Sequence, residues 1–505
     1  MDGLFNPRSV AVVGALTEPG RWWLKQYFID PLVRYGYRGK IYAVNPKGGD
    51  VPGVPTFTSL ADIPGPVDHV VCGVSAKRTV ALVEECRRTG VRSVQIFTAG
   101  FAETGEDTGS QIEHRLAELA RTGGPRIIGP NCMGLYCPGS GLSFCANFPE
   151  ESGPVGLICQ SGGNTTYTVR SAAERGLRFS KAVSFGNACD VNESDLLEYL
   201  ASDPETRVIA AYIEGTRDGP RLLKTLSAAA AAKPVVVFKG GYTEAGTRAT
   251  ASHTGALAGS DSIWDGLLKQ AGAIRVYNVE EMVDMLVAIL KMKPPLGVNT
   301  CVAGNGGGSS VLATDECERV GLRLAPFPPE IRDRLKAFIP LAGSMLRNPI
   351  DTNGLNAIAD KDRVMDGPAL SGLEEALAGA RVGPGDRGWG DLVAVLEDWR
   401  ELDVAIFHYS VDVNPLDITE EMVATASAAT IAAAKTCRLP VAVVLHILAA
   451  ESTRRASLKT QHICMEEGLP FFPTMKGAAL AIRRLIEFNR RHPVMLAGVQ
   501  AQTTP

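Results

Sequence analysis

The sequence predicts an α/β protein made of three consecutive units, each with a mainly parallel sheet. Three observations predict it. Short apolar runs recur along the chain and several end in glycine, as in Ser9-Val-Ala-Val-Val-Gly14. Strands buried on both faces read this way. Helical patterns lie between many of these runs, which implies crossover connections. The length, 505 residues, suits about three domains at roughly 150 residues each.

The first unit covers 1–130. Its expected strands are Ser9–Gly14, Lys40–Pro46, His69–Val74, Val94–Phe97 and Arg126–Gly129, with helices over Ala76–Gly90 and Gly109–Arg121. The second covers 131–296, with strands Val155–Cys159, Ser180–Phe185, Arg207–Ile213 and Pro234–Phe238 and a closing helix from Val279 to Leu290. Lys293-Pro-Pro-Leu-Gly297 reads as a linker. The third covers 297–492. There Thr300–Ala303 enters Gly304-Asn-Gly-Gly-Gly308, a helix starts near Ser309, and Ala405–His408 and Pro440–Leu445 are later strands. Residues 360–392, rich in Gly, Asp and Ala, are expected as an insertion, and 493–505 as a flexible tail.

Composition excludes several classes. Hydrophobic residues make up 45 % and charged residues 21 %, as in globular proteins rather than disordered ones. A net charge of −4 without a Lys/Arg stripe points away from nucleic acid. No apolar run reaches the roughly 18 residues of a membrane span. The first residues lack the basic and apolar regions of a secretory signal. Eleven cysteines, several inside apolar runs such as His69-Val-Val-Cys-Gly73, read as reduced thiols of a cytoplasmic protein. Cys132 and Cys137 are close, but no histidine or second cysteine pair accompanies them, so no metal site is assigned.

Ligands of open α/β sheets bind beyond the carboxyl ends of strands, where helices begin. Helix N-termini offer unpaired N–H groups and a positive dipole end to anions. Gly14-Ala-Leu-Thr-Glu-Pro-Gly20 follows a strand but is not Gly-x-Gly-x-x-Gly, which argues against a nicotinamide enzyme. It reads as a different nucleotide turn or a plain strand–helix turn. Gln160-Ser-Gly-Gly163 suits a phosphoryl or carboxylate group, and equally a structural turn. Four glycines among Gly304–Gly308 favour an anion site, since each costs conformational entropy. His253 follows the polar stretch 241–250, expected as a mobile surface loop. There it can serve as nucleophile, base or ligand, or be an exposed bystander. Glu214 ends the strand of Tyr212-Ile-Glu-Gly215 and can orient an imidazole, or simply face water.

Taken together, these motifs resemble the α subunit of the nucleoside-diphosphate-forming acyl-CoA synthetases, the group that includes succinyl-CoA synthetase. The resemblance spans about residues 4–490. It rests on an ordered set that includes Leu4-Phe-Asn-Pro-Arg-Ser-Val-Ala-Val-Val-Gly14, Val44-Asn-Pro-Lys47, Ala99-Gly-Phe-Ala-Glu-Thr-Gly105, Gly129-Pro-Asn-Cys-Met-Gly134, Gln160-Ser-Gly162, Gly186-Asn187 with Asp190, Tyr212-Ile-Glu-Gly215, Ser252-His-Thr-Gly-Ala-Leu-Ala-Gly259 and Asn348-Pro-Ile-Asp351.

The resemblance implies Rossmann- or flavodoxin-like units, a CoA-binding domain followed by two ligase-type domains. It implies that acid, CoA and ATP give acyl-CoA, ADP and phosphate, reversibly, through an acyl phosphate and a phosphohistidine. The phosphoryl carrier maps onto His253 and the stabilising glutamate onto Glu214. Phosphate sites map onto Gln160, Ser161, Gly162 and Gly163, and onto Gly306, Gly307 and Gly308. CoA contacts map onto Gly14, Thr17, Pro19, Gly20, Lys47, Val74, Ser75, Ala99, Gly100, Phe101, Asn131 and Cys132. The family also needs an ATP-grasp module, which the three units do not contain. A separate β subunit carrying most of the nucleotide and Mg2+ contacts is therefore expected, in an α2β2 or similar hetero-oligomer. Leu16, Arg21-Trp-Trp23, Ser75 and Cys159 depart from the family pattern. A non-catalytic CoA or acyl-CoA sensor of the same fold is the alternative, and a related enzyme using the same intermediate for another outcome is a third reading. The acid is a small carboxylic acid whose identity the residues do not disclose.

Overall fold

A computed structural model of the protein describes residues 1–14, 23–254, 259–339, 345–352, 388–409, 420–445 and 451–501. The chain divides into two compact units, Met1–Met282 and Val283–Pro505. Three mainly parallel sheets carry the fold, two in the first unit and one in the second.

The first sheet contains β1 (Ser9–Val13), β2 (Lys40–Val44), β3 (Thr56–Phe57), β4 (His69–Cys72), β5 (Ser93–Ile96) and β6 (Arg126–Ile128). Its order is β3-β2-β1-β4-β5-β6, all parallel. That is the doubly wound order of nucleotide-binding sheets, with a switch point between β1 and β4. Gly14 and Gly73 stand at this point. A Cβ on Gly14 would lie 2.9 Å from Leu24 and 3.1 Å from the Gly73 backbone.

The second sheet contains β7 (Gly134–Tyr136), β8 (Val155–Cys159), β9 (Phe179–Ser184), β10 (Val208–Ile213), β11 (Val235–Lys239) and β12 (Ile274–Val276). Its order is β12-β11-β10-β8-β9-β7. Only β7 runs antiparallel, against β9. Every residue of β8, β9 and β10 is buried, which is why their sequences read as continuous runs rather than alternations. Lys181 on β9 is tolerated there because its ammonium meets Asp203 at 2.9 Å.

A polar seam joins these two sheets. Gly186, with φ +56°, turns the chain after β9 against the Gly129–Asn131 segment. The Asn187 amide N–H then donates to the Pro130 carbonyl at 3.0 Å. Asp190 accepts from Arg126 Nε at 2.9 Å and from the Ile127 N–H at 2.8 Å. Asp195 adds Arg126 at 3.1 Å and Arg221 at 2.6 Å.

The second unit holds β13 (Thr300–Gly304), β14 (Ile350–Asp351), β15 (Val404–Tyr409), β16 (Val441–Leu445) and β17 (Phe471–Phe472), ordered β14-β13-β15-β16-β17 and parallel. Ile331, Leu335, Trp389, Leu392, Phe407 and Val443 are part of its core.

The longer predicted strands and helices form at the expected places. The sequence reading missed β3, β7, β12, β14 and β17, which have two or three residues each. So short a segment has no period to detect. Three expectations are corrected. The stretch 241–250 is not an open loop, because Glu244–Thr254 is a helix. Thr243 Oγ1 accepts from the Gly246 N–H at 3.0 Å, Arg248 pairs with Glu244 at 2.9 Å, and alanines fill the turns. The expected flexible tail is helical over Pro493–Ala501, with Leu496 fully buried. The expected insertion ends early, since Trp389–Glu397 is a helix with Trp389 and Leu392 in the core. Residues 360–387 lie outside the described residues.

The seam generates a stability prediction. In Gly186→Ala the new Cβ would sit 2.1 Å from the Pro130 carbonyl oxygen, at a positive φ. It should destabilise the protein by at least about 2 kcal/mol in urea titration. Gly163→Ala, whose nearest neighbour would be 4.0 Å away, should stay near wild type. Equal stability of the two variants would contradict the seam.

Candidate functional site

The second sheet reverses its winding between β8 and β10, which opens a crevice at their carboxyl ends. Gln160 and Ser161 leave β8 there, and Glu214 and Gly215 leave β10. Ser161 caps the helix Gly162–Ala173 by accepting the Asn164 N–H at 3.2 Å. The Gly162 and Gly163 amides, the first of this helix, have no acceptor among the described residues. A Cβ on Gly162 would meet Met133 at 2.6 Å, so packing requires that glycine. Gly163 is exposed, and a Cβ there would have its nearest neighbour 4.0 Å away, so packing does not require that glycine. Gln160 Oε1 accepts the backbone N–H groups of Glu214 and, at 3.1 Å, Gly215, which ties the two strand ends together. The departure at Cys159 is internal. Its thiol donates to the Ser161 carbonyl at 3.1 Å, and burial pushes its pKa up to about 12.

Glu214 is 5 % exposed. Burial, then the neighbouring Glu214 carboxylate, hold the Tyr212 hydroxyl well above its usual range. Lys239, the last residue of β11, is 2 % exposed. Burial pulls its ammonium down to about 8, against the opposing charges of Glu214 and Asp261. From β11 the chain passes through Gly240 and Gly241 into the helix Glu244–Thr254, which carries His253. This helix packs against the short turn Ala102–Thr104 of the first sheet. The His253 side chain lies outside the described residues.

Beside the crevice is a cavity of about 40 Å³ lined by Gln160, Asn187, Asn192, Glu193, Gly215 and Arg217, among others. Asn187 Nδ2 donates to Glu103 at 2.6 Å and to Glu113 at 2.9 Å. Arg217 reaches Glu113 at 2.5 Å. Burial opposes the Glu103 charge, but donation from Gly100, Asn187 and Phe101 outweighs it and holds the carboxyl below its usual range. Burial raises the Glu193 carboxyl, whose partner is Thr216 Oγ1 at 2.5 Å.

The residues mapped to CoA stand at the carboxyl edge of the first sheet. Gly14 follows β1, Lys47 follows β2, Val74 and Ser75 follow β4, Ala99–Phe101 follow β5, and Asn131 and Cys132 follow β6. Lys47, Ser75 and Ala99 are exposed and Asn131 is half-buried. Two are unsuited to side-chain contact. Phe101 is fully buried in the core, and the Cys132 thiol is buried against the Ile96 carbonyl at 3.4 Å. The Gly100 and Phe101 amides are already held by Glu103 at 2.6 and 3.2 Å. Thr17, Pro19 and Gly20 lie outside the described residues, as do Leu16, Arg21 and Trp22.

In the second unit the glycine-rich turn leaves β13 and starts the helix Gly307–Arg319. The Gly306 N–H donates to Asp351 Oδ1 at 3.1 Å. Gly308 is exposed with open space above it. Sequence reasoning singled out the turn but not its carboxylate partner, although Asp351 ends a quoted motif.

Reasoning from sequence also missed Lys239, Glu193 and Arg217. A lysine closing an apolar strand was the available signal for Lys239. Glu193 and Arg217 gave none, because their roles arise from contacts between segments distant in sequence. Among the described residues, no group of three or more His, Cys, Asp or Glu side chains is arranged to hold a metal ion. None of the described helices is long and apolar enough to cross a membrane.

Comparison with known proteins identifies the family and agrees with the fold. Residues 8–138 match the CoA binding domain, and residues 152–289 match the succinyl-CoA ligase like flavodoxin domain. The α subunit of ADP-forming acetate–CoA ligase I from Pyrococcus furiosus is 38 % identical over 363 residues, 70 % of this chain and 77 % of that protein. The ADP-forming 4-hydroxybutyrate–CoA ligase of Nitrosopumilus maritimus is 34 % identical over 70 % of this chain and 50 % of that protein. The dinucleotide forming acetyl-coenzyme A synthetase 1 of Candidatus Korarchaeum cryptofilum, solved with phosphate and ADP, superposes with a TM-score of 0.77 at 27 % identity, covering 98 % of each chain. The chain belongs to the α-subunit family of the ADP-forming acyl-CoA synthetases, within the succinyl-CoA synthetase-like superfamily.

Proposed function

We propose that the protein is the α subunit of an ADP-forming acyl-CoA synthetase that acts on a small carboxylic acid. The observation that carries this reading is the placement of the His253 helix. It is rooted at the crevice of Glu214 and Ser161, and it packs on the edge of the first sheet where CoA contacts map.

In the acyl-CoA-consuming direction, phosphate attacks the thioester carbonyl. The C–S bond breaks, CoA thiolate leaves, and an acyl phosphate forms. His253 then attacks phosphorus, the P–O bond to the acyl group breaks, and the carboxylate departs. Glu214 stabilises the imidazolium of phosphohistidine. The Gly162 and Gly163 amides receive the phosphoryl oxygens at a helix N-terminus. Transfer to ADP completes the sequence, and synthesis runs it in reverse. The nucleotide and Mg2+ belong mainly to an ATP-grasp β subunit, in an α2β2 or similar assembly. The relatives named for acetate and 4-hydroxybutyrate, together with the small cavity at Asn187, support a short aliphatic acid. A non-catalytic CoA sensor would need neither His253 nor the buried Glu214.

Two predictions follow from this reading. Incubation with phosphate and acetyl-CoA at alkaline pH should add one phosphoryl group to wild type in intact-mass spectra, and none to His253→Ala. If the isolated chain stays unmodified, the measurement is repeated with a candidate β subunit and ATP. Modification of His253→Ala, or silence of wild type in both formats, would overturn the assignment. Gln160→Ala removes the shared acceptor of the Glu214 and Gly215 amides. It should slow phosphoenzyme formation about tenfold or more by loosening the crevice, and it should cost about 1–3 kcal/mol in stability.

A further inference from the structure

Lys239 is a buried cation in a position that the chemistry above does not use. It pairs in register with Ile213, the residue before Glu214. Its Nζ donates to the Gly240 carbonyl and lies 5.3 Å from the centroid of the Trp264 ring. Trp264 is 4 % exposed and belongs to the helix Asp261–Ala271. The Trp264 Nε1 is 3.1 Å from where a Cβ on Gly259 would stand. The chain therefore leaves the sheet beside Lys239 and returns beside Trp264, and His253 lies between the two. Both ends of that excursion carry glycines in left-handed backbone, Gly241 at φ +70° and Gly259 at φ +66°. An ammonium over an indole face is an attractive and well-desolvated contact.

We propose that Lys239 is a positioning residue, whose ammonium seated on Trp264 anchors both roots of the His253 segment and gives Glu214 its buried counter-charge. The inference rests on the reading of His253 as phosphoryl carrier. The groups that face Lys239 come from each packed element. The end of β10 contributes Glu214, β12 contributes Arg275, and the helix Asp261–Ala271 contributes Asp261. The helix Gly219–Ala232 buries only Leu222, Leu226 and Ala229 and other uncharged residues. Burial is the leading cause that lowers the Lys239 pKa to about 8, Arg275 adds to it, and Glu214 and Asp261 oppose it. The ammonium is thus charged below about pH 8 and loses its charge as pH rises through that value. Anchor and counter-charge should fade together on the alkaline side.

The test uses the full chain as wild type, Lys239→Met and Lys239→Arg, with acetyl-CoA and phosphate as probes and the β subunit added if wild type requires it. Phosphoenzyme formation is followed by intact mass across the neutral to alkaline range. Hydrogen exchange of amides 240–254 is read in parallel on the free proteins. Lys239→Met should form phosphoenzyme about tenfold or more slowly at neutral pH, with an unchanged KM for acetyl-CoA. Its 240–254 amides should exchange about tenfold faster, while the helix Gly219–Ala232 is unaffected. Lys239→Arg should recover most of the rate and lose the alkaline decline, because guanidinium does not titrate there. Wild-type rate and exchange in Lys239→Met, with only a lower Tm, would overturn the proposal. So would an unchanged alkaline limb in Lys239→Arg, which also decides the matter if Lys239→Met fails to fold. Absence of phosphoenzyme in wild type would instead defeat the carrier reading. The exchange measurement would then judge the anchor by itself.

Discussion

The carboxamide of Asn187 is the contact on which the first unit depends. It is 5 % exposed and donates to two carboxylates, Glu103 and Glu113, that come from the other sheet. Its Oδ1 accepts from Asn131 Nδ2 at 3.4 Å. Hydrogen bonds to buried charges are worth more than neutral ones, and their loss leaves the charge unsolvated. Together with the Asp190 and Asp195 contacts to Arg126, this side chain sets the spacing between the edge where CoA contacts map and the crevice of Ser161 and Glu214. It also lines the cavity proposed for the acid.

Strand ends facing one edge create a common problem, since their helices begin with unpaired N–H groups. The protein solves it in different ways. After β5, the Gly100 and Phe101 amides are taken by the carboxylate of Glu103. After β13, the Gly306 amide is taken by Asp351. After β8, Ser161 covers the Asn164 amide and the two glycine amides before it stay open. Internal carboxylates thus satisfy amides after β5 and β13, whereas after β8 no carboxylate among the described residues does so. Within the crevice of β8 and β10 the buried Glu214 carboxylate adds to burial in raising the Tyr212 hydroxyl and opposes the lowering of Lys239.

Glycines illustrate how local sequence and packing divide the work. Gly162 and Gly163 are adjacent and look equivalent in the sequence. The first is required because Met133 of a distant segment presses on it, and the second meets nothing close. Packing therefore does not explain the second. Cys159 is a similar case. It departs from the family pattern, yet its thiol donates to the Ser161 carbonyl and so braces the turn from inside.

By itself the sequence determined the three-sheet α/β plan, the main strands, and the turns that carry chemistry. It did so because buried parallel strands need unbroken apolar runs, and because close turns need glycine and small polar residues. It could not determine the two- and three-residue edge strands, whose pairing comes entirely from neighbours. It misjudged 241–250, since a polar, threonine-rich stretch looks like a loop until its caps and packing against Ala102–Thr104 are counted. Tertiary structure alone decided that Glu214 would be buried, that Lys239 would stand beside it, and that Glu103 and Glu113 would converge on Asn187. These are contacts between residues 25 to 84 positions apart, and no local pattern encodes them. Periodicity records which face of an element is buried, whereas the partners met on that face depend on how strands are ordered in the sheet.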